Sequence, residues 1–195
     1  MKRRQFVRGS LTAVALGSGT TVAAHPPEQL LEYGLPPEML PTRVPIESGF
    51  APFEIHVMPH EYALYLTLQE NTALRYVVGI GRRGLYHAGE FYVGAKKEWP
   101  SWTPTPGMLR REPEVYSRWR DGMPGGLNNP LGSRALYLFQ PGRGDTFLRI
   151  HGTNDPSTLA RRVSNGCARL VNDQMIDLYD RVPMDTRVVL HPNVV

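Results

Sequence analysis

The residues best suited to covalent chemistry lie between positions 151 and 169, where the sequence reads HGTNDPSTLARRVSNGCAR. Cys167 is the only cysteine in the 195-residue chain, and it follows a short polar run. His151 lies sixteen positions upstream, at the end of an apolar run. A thiol becomes a strong nucleophile when a base removes its proton, and an imidazole is the usual base. The segment therefore predicts a cysteine acyl-transfer site.

A structural interpretation of the same residues competes with this one. A lone cysteine is often a small buried hydrophobe, and a lone histidine often has a structural role. Two features favour the chemical interpretation. The run Ser-Asn-Gly-Cys forms turns readily, so it presents the cysteine side chain instead of burying it. The chain also begins with an export signal, and an unpaired thiol outside the cytoplasm is exposed to oxidation.

Residues 1–24 have the composition of a twin-arginine-type signal peptide. The basic head contains four cationic residues and no acidic one, namely Lys2, Arg3, Arg4 and Arg8. The apolar stretch that follows is too short and too polar to span a bilayer. Small residues precede Ala24, so we expect cleavage after it, with no stable membrane span in the mature protein. The alternatives are a basic disordered tail and an uncleaved anchor. The prediction is a periplasmic or cell-envelope location.

Charge and composition exclude several classes of partner. The leader holds four of the 22 Lys and Arg residues and none of the 18 Asp and Glu residues, so the rest of the chain is formally neutral. That balance gives no support for nucleic-acid binding. The six histidines show no metal-ligand spacing with carboxylates or with Cys167. We therefore expect neither a metal nor an organic cofactor.

The rest of the chain divides into two parts. Residues 25–52 contain seven prolines, which disfavour both helix and central strand, and indicate a linker or an extended arm lying on the domain. Residues 53–192 form the predicted catalytic domain. Its short alternating runs predict strands at 53–58, 62–68, 74–80, 89–96, 135–140, 146–151 and 186–191.

Two further segments complete the predicted architecture. An apolar stripe predicts one helix from Asp173 to Val182, so the fold is mainly β. The segment 99–132 is rich in Pro, Gly, Trp and Arg and predicts a long irregular loop, a type that is usually functional. Its tryptophans either line a substrate groove or pack the loop onto the sheet; they are Trp99, Trp102 and Trp119.

The motif resembles the L,D-transpeptidase catalytic domain of the YkuD (ErfK/YbiS/YcfS/YnhG) type. That family carries a histidine, roughly fifteen residues, and then Ser/Thr-x-Gly-Cys-x-Asn/Arg. The matching positions are His151, Ser164, Gly166, Cys167 and Arg169. Stretches at 79–81, 99–106, 122–126 and 128–132 also fit, and the resemblance covers residues 53–191. It implies a β-sandwich with one short helix after the catalytic cysteine.

The resemblance also implies a mechanism on peptidoglycan. Cys167 attacks a tetrapeptide stem at the L-centre of diaminopimelate, D-alanine leaves, and His151 acts as general base and acid. Backbone N–H groups of the Asn165–Cys167 turn stabilise the oxyanion. Ser164 holds the turn or the imidazole. Arg169 either pairs with a stem carboxylate or clamps the turn, and Trp102 belongs to the substrate groove.

The sequence departs from the family pattern at two positions. Many members have histidine where this chain has Asn165, which concerns substrate tuning and not the base. Some members have serine where this chain has Gly152, so a backbone carbonyl has to orient the imidazole of His151.

The acyl acceptor stays open. A second stem gives a 3→3 crosslink, a protein amine attaches an envelope protein to the wall, and water gives L,D-carboxypeptidase activity. Papain-like peptidases place the cysteine before the histidine, and sortases separate the two more widely, so spacing argues against both. A non-catalytic peptidoglycan-binding module on this fold would be signalled by loss of the cysteine or the histidine, and both are present.

Overall fold

The computed structural model describes residues 33–193. The predicted signal peptide lies outside the described residues. Within them, eleven strands form: β1 (Thr42–Pro45), β2 (Ile55–Met58), β3 (Ala63–Thr67), β4 (Thr72–Val77), β5 (Ile80–Gly81), β6 (Gly89–Glu98), β7 (Arg134–Gln140), β8 (Gly144–Thr153), β9 (Arg162–Ser164), β10 (Ala168–Val171) and β11 (Arg187–Leu190). The α-helices are α1 (Pro106–Arg111), α2 (Pro113–Tyr116) and α3 (Asn172–Arg181).

Nine strands join in one sheet, in the order β1-β4-β3-β2-β11-β6-β7-β8-β10, and β5 pairs separately with β9. Buried side chains from distant strands of this sheet share a single core cluster, among them Leu64, Tyr76, Ile150 and Leu170. The sheet therefore folds over on itself, and its two halves pack face to face. The predicted mainly β sandwich with a short helix after Cys167 is confirmed.

The hairpin of β3 and β4 shows how local sequence specifies the sheet. Its strands pair antiparallel, with Thr67 opposite Ala73. Glu70 and Asn71 at the turn both have positive φ, at 60° and 50°. That conformation matches the twist of the flanking strands, and asparagine tolerates it better than most residues. The predicted turn at 70–72 is where the strands connect.

Helix α3 begins at Asn172, one residue before the predicted start, and buries Met175 and Leu178 in the core. The hydroxyl of the buried Tyr76 donates to Asp177 at 2.6 Å. Lys96 of β6 donates through Nζ to the carbonyls of Tyr179 and Val182, both at 2.6 Å. Because the last carbonyls of a helix lack intrahelical donors, this lysine caps α3 from the sheet.

The segment 99–132 contains more regular structure than predicted, since α1 and α2 lie within it. Thr105 caps α1 by accepting a hydrogen bond from the backbone N–H of Met108 at 3.2 Å, and Pro106 occupies the first turn. Proline at this position suits a helix start because the first N–H groups have no partner in the helix. The high proline content concealed these short helices.

The described part of the proline-rich segment lies against the domain. Residues 42–45 form β1, which pairs antiparallel with the edge of β4. Tyr33, Leu35 and Met39 pack on a small buried cluster. Proline is tolerated in β1 because an edge strand leaves one row of N–H groups unpaired. The sheet therefore includes residues that precede position 53.

Among residues 33–193, none of the helices has both the length and the apolar character needed to cross a bilayer.

We predict that Lys96→Met destabilises the domain by about 1–3 kcal/mol, because the Val182 carbonyl loses the ammonium donor and the Tyr179 carbonyl keeps only the 3.4 Å hydrogen bond from the Val182 backbone N–H. Its neighbour Lys97 is exposed and provides the matched control, Lys97→Met, which should change the free energy of unfolding by less than about 0.5 kcal/mol. Urea unfolding followed by circular dichroism measures both. Equal stability of the two variants would contradict the capping role.

Candidate active site

Strands β8 and β10 bring the sequence motif together. They pair in parallel, with His151 directly opposite Arg169 and Ile150 opposite Ala168. Side chains alternate along a strand, so Ile150 and Ala168 enter the core. His151 and Arg169 project from the other face, and Cys167 precedes β10 with the same parity as Arg169. The pairing therefore places the imidazole, the cysteine and the arginine on one surface.

These side chains line a cleft of about 520 Å³. Six of the eight residues predicted for the site contribute to its wall, whereas Gly152 and Gly166 do not. The six are Cys167, His151, Ser164, Asn165, Arg169 and Trp102. Trp119 also lines the cleft and Trp99 does not. The wall contains no carboxylate. It contains three arginines and one histidine, namely Arg118, Arg149, Arg169 and His151. The cleft therefore favours an anionic ligand.

His151 is held in one orientation by the residue that follows it. The side chain is buried at 3% exposure, and its Nδ1 lies 2.8 Å from the carbonyl oxygen of Gly152. A carbonyl only accepts, so Nδ1 carries the hydrogen and Nε2 keeps a free lone pair. Burial, reinforced by the positive charge of Arg169, lowers the pKa of His151 from 6.5 to about 3. The imidazole is therefore neutral in the unliganded protein.

Gly152 has a steric reason to be glycine that sequence reasoning missed. A Cβ at this position would clash with Oδ1 of Asn172, the first residue of α3. The same oxygen accepts a hydrogen bond from the backbone N–H of Ser133 at 2.9 Å, and the Asn172 amide also donates to Asn154. The Asn172 side chain thus packs directly against Gly152, whose carbonyl orients His151.

Cys167 is accessible, being only partly buried. Burial raises the pKa of its thiol, whereas a hydrogen bond from the backbone N–H of Arg149 and the charges of Arg149 and Arg169 act in the opposite direction. Because desolvation is the largest effect, the thiol stays protonated at neutral pH. The unliganded site therefore holds a neutral thiol and a neutral imidazole instead of an ion pair.

Ser164 holds the turn that carries the cysteine. Its hydroxyl donates to the carbonyl of Cys167 at 2.6 Å and accepts from the backbone N–H of Gly166 at 3.1 Å. The N–H of Gly166, expected to face an oxyanion, is therefore already engaged with Ser164 in this conformation. Gly166 has φ +129°, where a side chain would be strained.

Asn165 joins the cysteine turn to the helical segment. Its Oδ1 accepts from Arg82 at 2.8 Å and from Arg111 at 3.1 Å, and its amide donates to the hydroxyl of Tyr116 at 3.0 Å. Arg82 also forms a two-point ion pair with Glu112, at 2.7 and 3.1 Å. The Asn165 side chain thus anchors α1 and α2 beside the turn. Sequence reasoning did not assign Arg82, Glu112 or Tyr116 to the site, because their contacts with Asn165 join segments that are far apart in the chain.

Arg169 reaches the cleft without an acidic partner. Its backbone bridges to Gly79 through hydrogen bonds of 2.8 and 3.0 Å, but its side chain has no hydrogen-bond or ion-pair partner within residues 33–193. Burial lowers the pKa of its guanidinium. A largely desolvated cation without a counter-ion is costly, and a carboxylate ligand would relieve that cost. This geometry fits a ligand-binding role better than a clamp on the turn.

The part of the chain that the structure describes offers two features on which a cofactor site could rest, its acidic and histidine side chains and one glycine-rich turn. No group of three or more His, Cys, Asp or Glu side chains there is arranged to hold a metal ion. Residues 79–84 read GIGRRG, which has the glycine spacing of a dinucleotide-binding turn. That function requires a helix to follow, and the chain here continues instead into a turn and the strand β6.

Comparison with known proteins identifies related chains. Residues 52–190 match the YkuD family, described as the L,D-transpeptidase catalytic domain. The probable L,D-transpeptidase ErfK/SrfK of Escherichia coli is 37% identical over 126 residues, which is 64% of this chain and 39% of that protein. A relative from Fuscovulum blasticum that also carries the L,D-transpeptidase name is 43% identical over 93 residues, 48% of this chain and 44% of its own. The chain thus spans less than half the length of these relatives.

Solved structures agree on the fold. A Brucella melitensis protein described as a probable carnitine operon oxidoreductase is 43% identical, with a TM-score of 0.54 over 84% of this chain and 98% of its own. An Enterococcus faecium L,D-transpeptidase is 17% identical, with a TM-score of 0.53 over 72% of this chain and 50% of its own, and bears on the fold alone. With its motif on paired strands and its match over residues 52–190, the chain belongs to the YkuD family of L,D-transpeptidase catalytic domains.

Proposed function

We propose that this protein is an L,D-transpeptidase that acts on peptidoglycan tetrapeptide stems through a cysteine acyl-enzyme. One observation carries the proposal: Cys167 and the oriented His151 share a carboxylate-free cleft with Arg169, whose side chain has no partner among the described residues. A peptide stem supplies both the carbonyl that a thiol attacks and the carboxylates that an arginine binds.

The neutral pair defines how the reaction begins. As the Cys167 sulfur attacks the stem carbonyl, His151 Nε2 accepts the thiol proton, and an S–C bond forms while negative charge develops on the carbonyl oxygen. The tetrahedral intermediate collapses, the C–N bond to D-alanine breaks, and the imidazolium returns the proton to the leaving amine. A thioester on Cys167 remains.

Arg169 connects substrate binding to base strength. The positive charge of Arg169 disfavours the imidazolium form and contributes to the low pKa of His151. A substrate carboxylate paired with the guanidinium would offset that charge, so the pKa of His151 would rise on binding. The site would then be quiescent when empty and become active when the stem is bound.

The oxyanion donors belong to the same proposal. Because the Gly166 N–H is engaged with Ser164, we propose that the N–H of Cys167 is the first donor. The N–H of Gly166 joins it if Ser164 rotates on substrate binding. One such donor contributes about 3 kcal/mol in comparable sites.

The location and the acceptor complete the proposal. An N-terminal twin-arginine signal would deliver the domain to the periplasm or cell envelope, where its substrate lies. A second stem as acceptor would give a 3→3 crosslink, and an envelope protein amine would give a wall-attached protein. Hydrolysis would make the enzyme an L,D-carboxypeptidase.

The deciding experiment incubates the protein with disaccharide-tetrapeptide and follows products by mass spectrometry. We expect a Cys167-dependent loss of D-alanine with a new 3→3 dimer, and none with Cys167→Ala. His151→Ala should lower the rate by about 10²–10⁴-fold. Tripeptide alone would indicate a carboxypeptidase or a missing acceptor. Turnover by Cys167→Ala, or a folded wild type that leaves the muropeptide unchanged, would contradict the proposal.

The pH dependence tests the neutral pair. Since the pKa of His151 is about 3 and burial raises the pKa of Cys167, the free enzyme keeps one protonation state through the neutral range. We expect kcat/KM for acylation to stay constant from about pH 5 to about pH 8. Alkylation of Cys167 by iodoacetamide should be slow at neutral pH and accelerate only in alkali. An acid limb centred on the ordinary histidine value of 6.5 would argue instead for an unshifted base.

Arg169→Gln should raise KM for the tetrapeptide and lower kcat/KM by about 10²-fold, because a charge-assisted pair with a stem carboxylate is lost. The exposed Arg161 provides the matched control, Arg161→Gln, with unchanged kinetics expected. Donors amidated at each carboxylate in turn identify the partner group, because the donor that lacks it should be insensitive to Arg169→Gln. Equal losses for every donor would instead indicate a structural role.

A further inference from the structure

A second groove of about 420 Å³, here called the basic groove, lies beside the catalytic cleft. The two cavities share three wall residues, namely Thr105, Phe147 and Asn165. The wall of the basic groove does not include Cys167, but it includes Asn165, two residues before it in the chain. A Cβ placed on Gly166 would approach the Leu85 carbonyl oxygen at 2.9 Å and Leu148 Cδ2 at 3.0 Å, both in the groove wall. Gly166 therefore separates the groove from the nucleophile.

The wall of the basic groove has the same cationic character as the wall of the catalytic cleft. The groove wall includes Arg111, Arg143 and His87 and no carboxylate. Arg143 is exposed, and its side chain has no hydrogen-bond or ion-pair partner within residues 33–193. These groups favour a ligand that carries carboxylates, as the cleft does on the other side of Gly166.

Phe147 forms the partition between the two cavities. It lies on β8 with a φ of +63° and a side chain that is 64% exposed, although it is large and apolar. The pairing of β7 with β8 is irregular here, because three residues, 146–148, stand opposite the single residue 138. A bulge of this kind re-aims side chains and is typical of functional sites.

The bulge is fixed by a compact set of contacts. Asp145 accepts a hydrogen bond from the Phe147 backbone N–H at 2.8 Å and pairs with the Arg149 guanidinium at 2.6 and 2.8 Å. Arg149 in turn stacks on the Tyr137 ring, 3.9 Å from its centroid. These contacts hold the exposed phenyl ring at the rim shared by both cavities.

We propose that the basic groove binds the acyl acceptor, an anionic peptide stem with a free primary amine, and that Phe147 keeps it apart from the donor stem. This inference rests on the proposed function. The acceptor nitrogen attacks the thioester carbonyl, a C–N bond forms and the C–S bond breaks. The proton lost by the amine passes through His151 to the Cys167 sulfur. The groove's charge favours a second stem over a lysine in a basic protein segment.

Acceptor binding is tested without catalysis. The probe is a disaccharide-tripeptide, which has no D-alanine to release, titrated by calorimetry into the Cys167→Ala protein. We expect Arg143→Glu to weaken binding of the tripeptide at least tenfold. Arg110 is exposed and lies outside both cavities, so the control variant Arg110→Glu should bind the tripeptide with unchanged affinity. Unaltered binding in Arg143→Glu, or no binding of the tripeptide at all, would overturn the inference.

The kinetic test uses the active enzyme. Arg143→Glu should raise the KM for the tripeptide acceptor at least tenfold while the rate of acyl-enzyme formation from tetrapeptide, followed by intact mass, stays within twofold. Phe147→Ala should lower the ratio of crosslinked to hydrolysed product several-fold. If Arg143→Glu forms the acyl-enzyme and shows an unchanged KM for the acceptor, the groove assignment is wrong and the proposed function stands. Failure of the wild type to form any acyl-enzyme would instead overturn the proposed function.

Discussion

The parallel pairing of β8 with β10 is the constraint on which the rest of the site depends. The register that sets His151 opposite Arg169 also sends Ile150 and Ala168 into the core, so burial of the apolar side chains locks the polar ones onto the cleft. A shift of one residue would exchange the two faces. The core that stabilises the sandwich therefore also fixes the relative placement of His151, Cys167 and Arg169, without any direct bond between their side chains.

Burial determines the protonation states of His151 and Cys167. Removing His151 and Cys167 from water favours their neutral forms, and this effect exceeds the field of the nearby arginines, which by itself would favour a thiolate. In the empty site the Cys167 thiol therefore stays protonated and uncharged. A protonated sulfur is also less readily oxidised than a thiolate.

Two segments border the cleft, and networks of hydrogen bonds and ion pairs help to hold both of them in place. Asn165 and the Arg82–Glu112 pair tie α1 and α2 to the cysteine turn, while Asp145 and Arg149 hold the bulge that exposes Phe147. Charge-assisted hydrogen bonds are directional, so they specify geometry where little apolar surface is available. The cleft and the basic groove are the two spaces that these networks leave open on either side of the turn.

Features encoded within short stretches could be predicted from the sequence: the cysteine with its histidine, the alternating strands, the hairpin turn at Glu70 and Asn71, and the helix after the motif. The sequence placed α3 within one residue because an apolar stripe repeats over three turns. Four features became visible in the folded protein alone: the clash that a side chain at Gly152 would cause, the hydrogen bond between Gly166 and Ser164, the contacts of Asn165 and the exposure of Phe147. These depend on burial and strand register, which are set by residues far apart in the chain, whereas periodicity and turn chemistry are local.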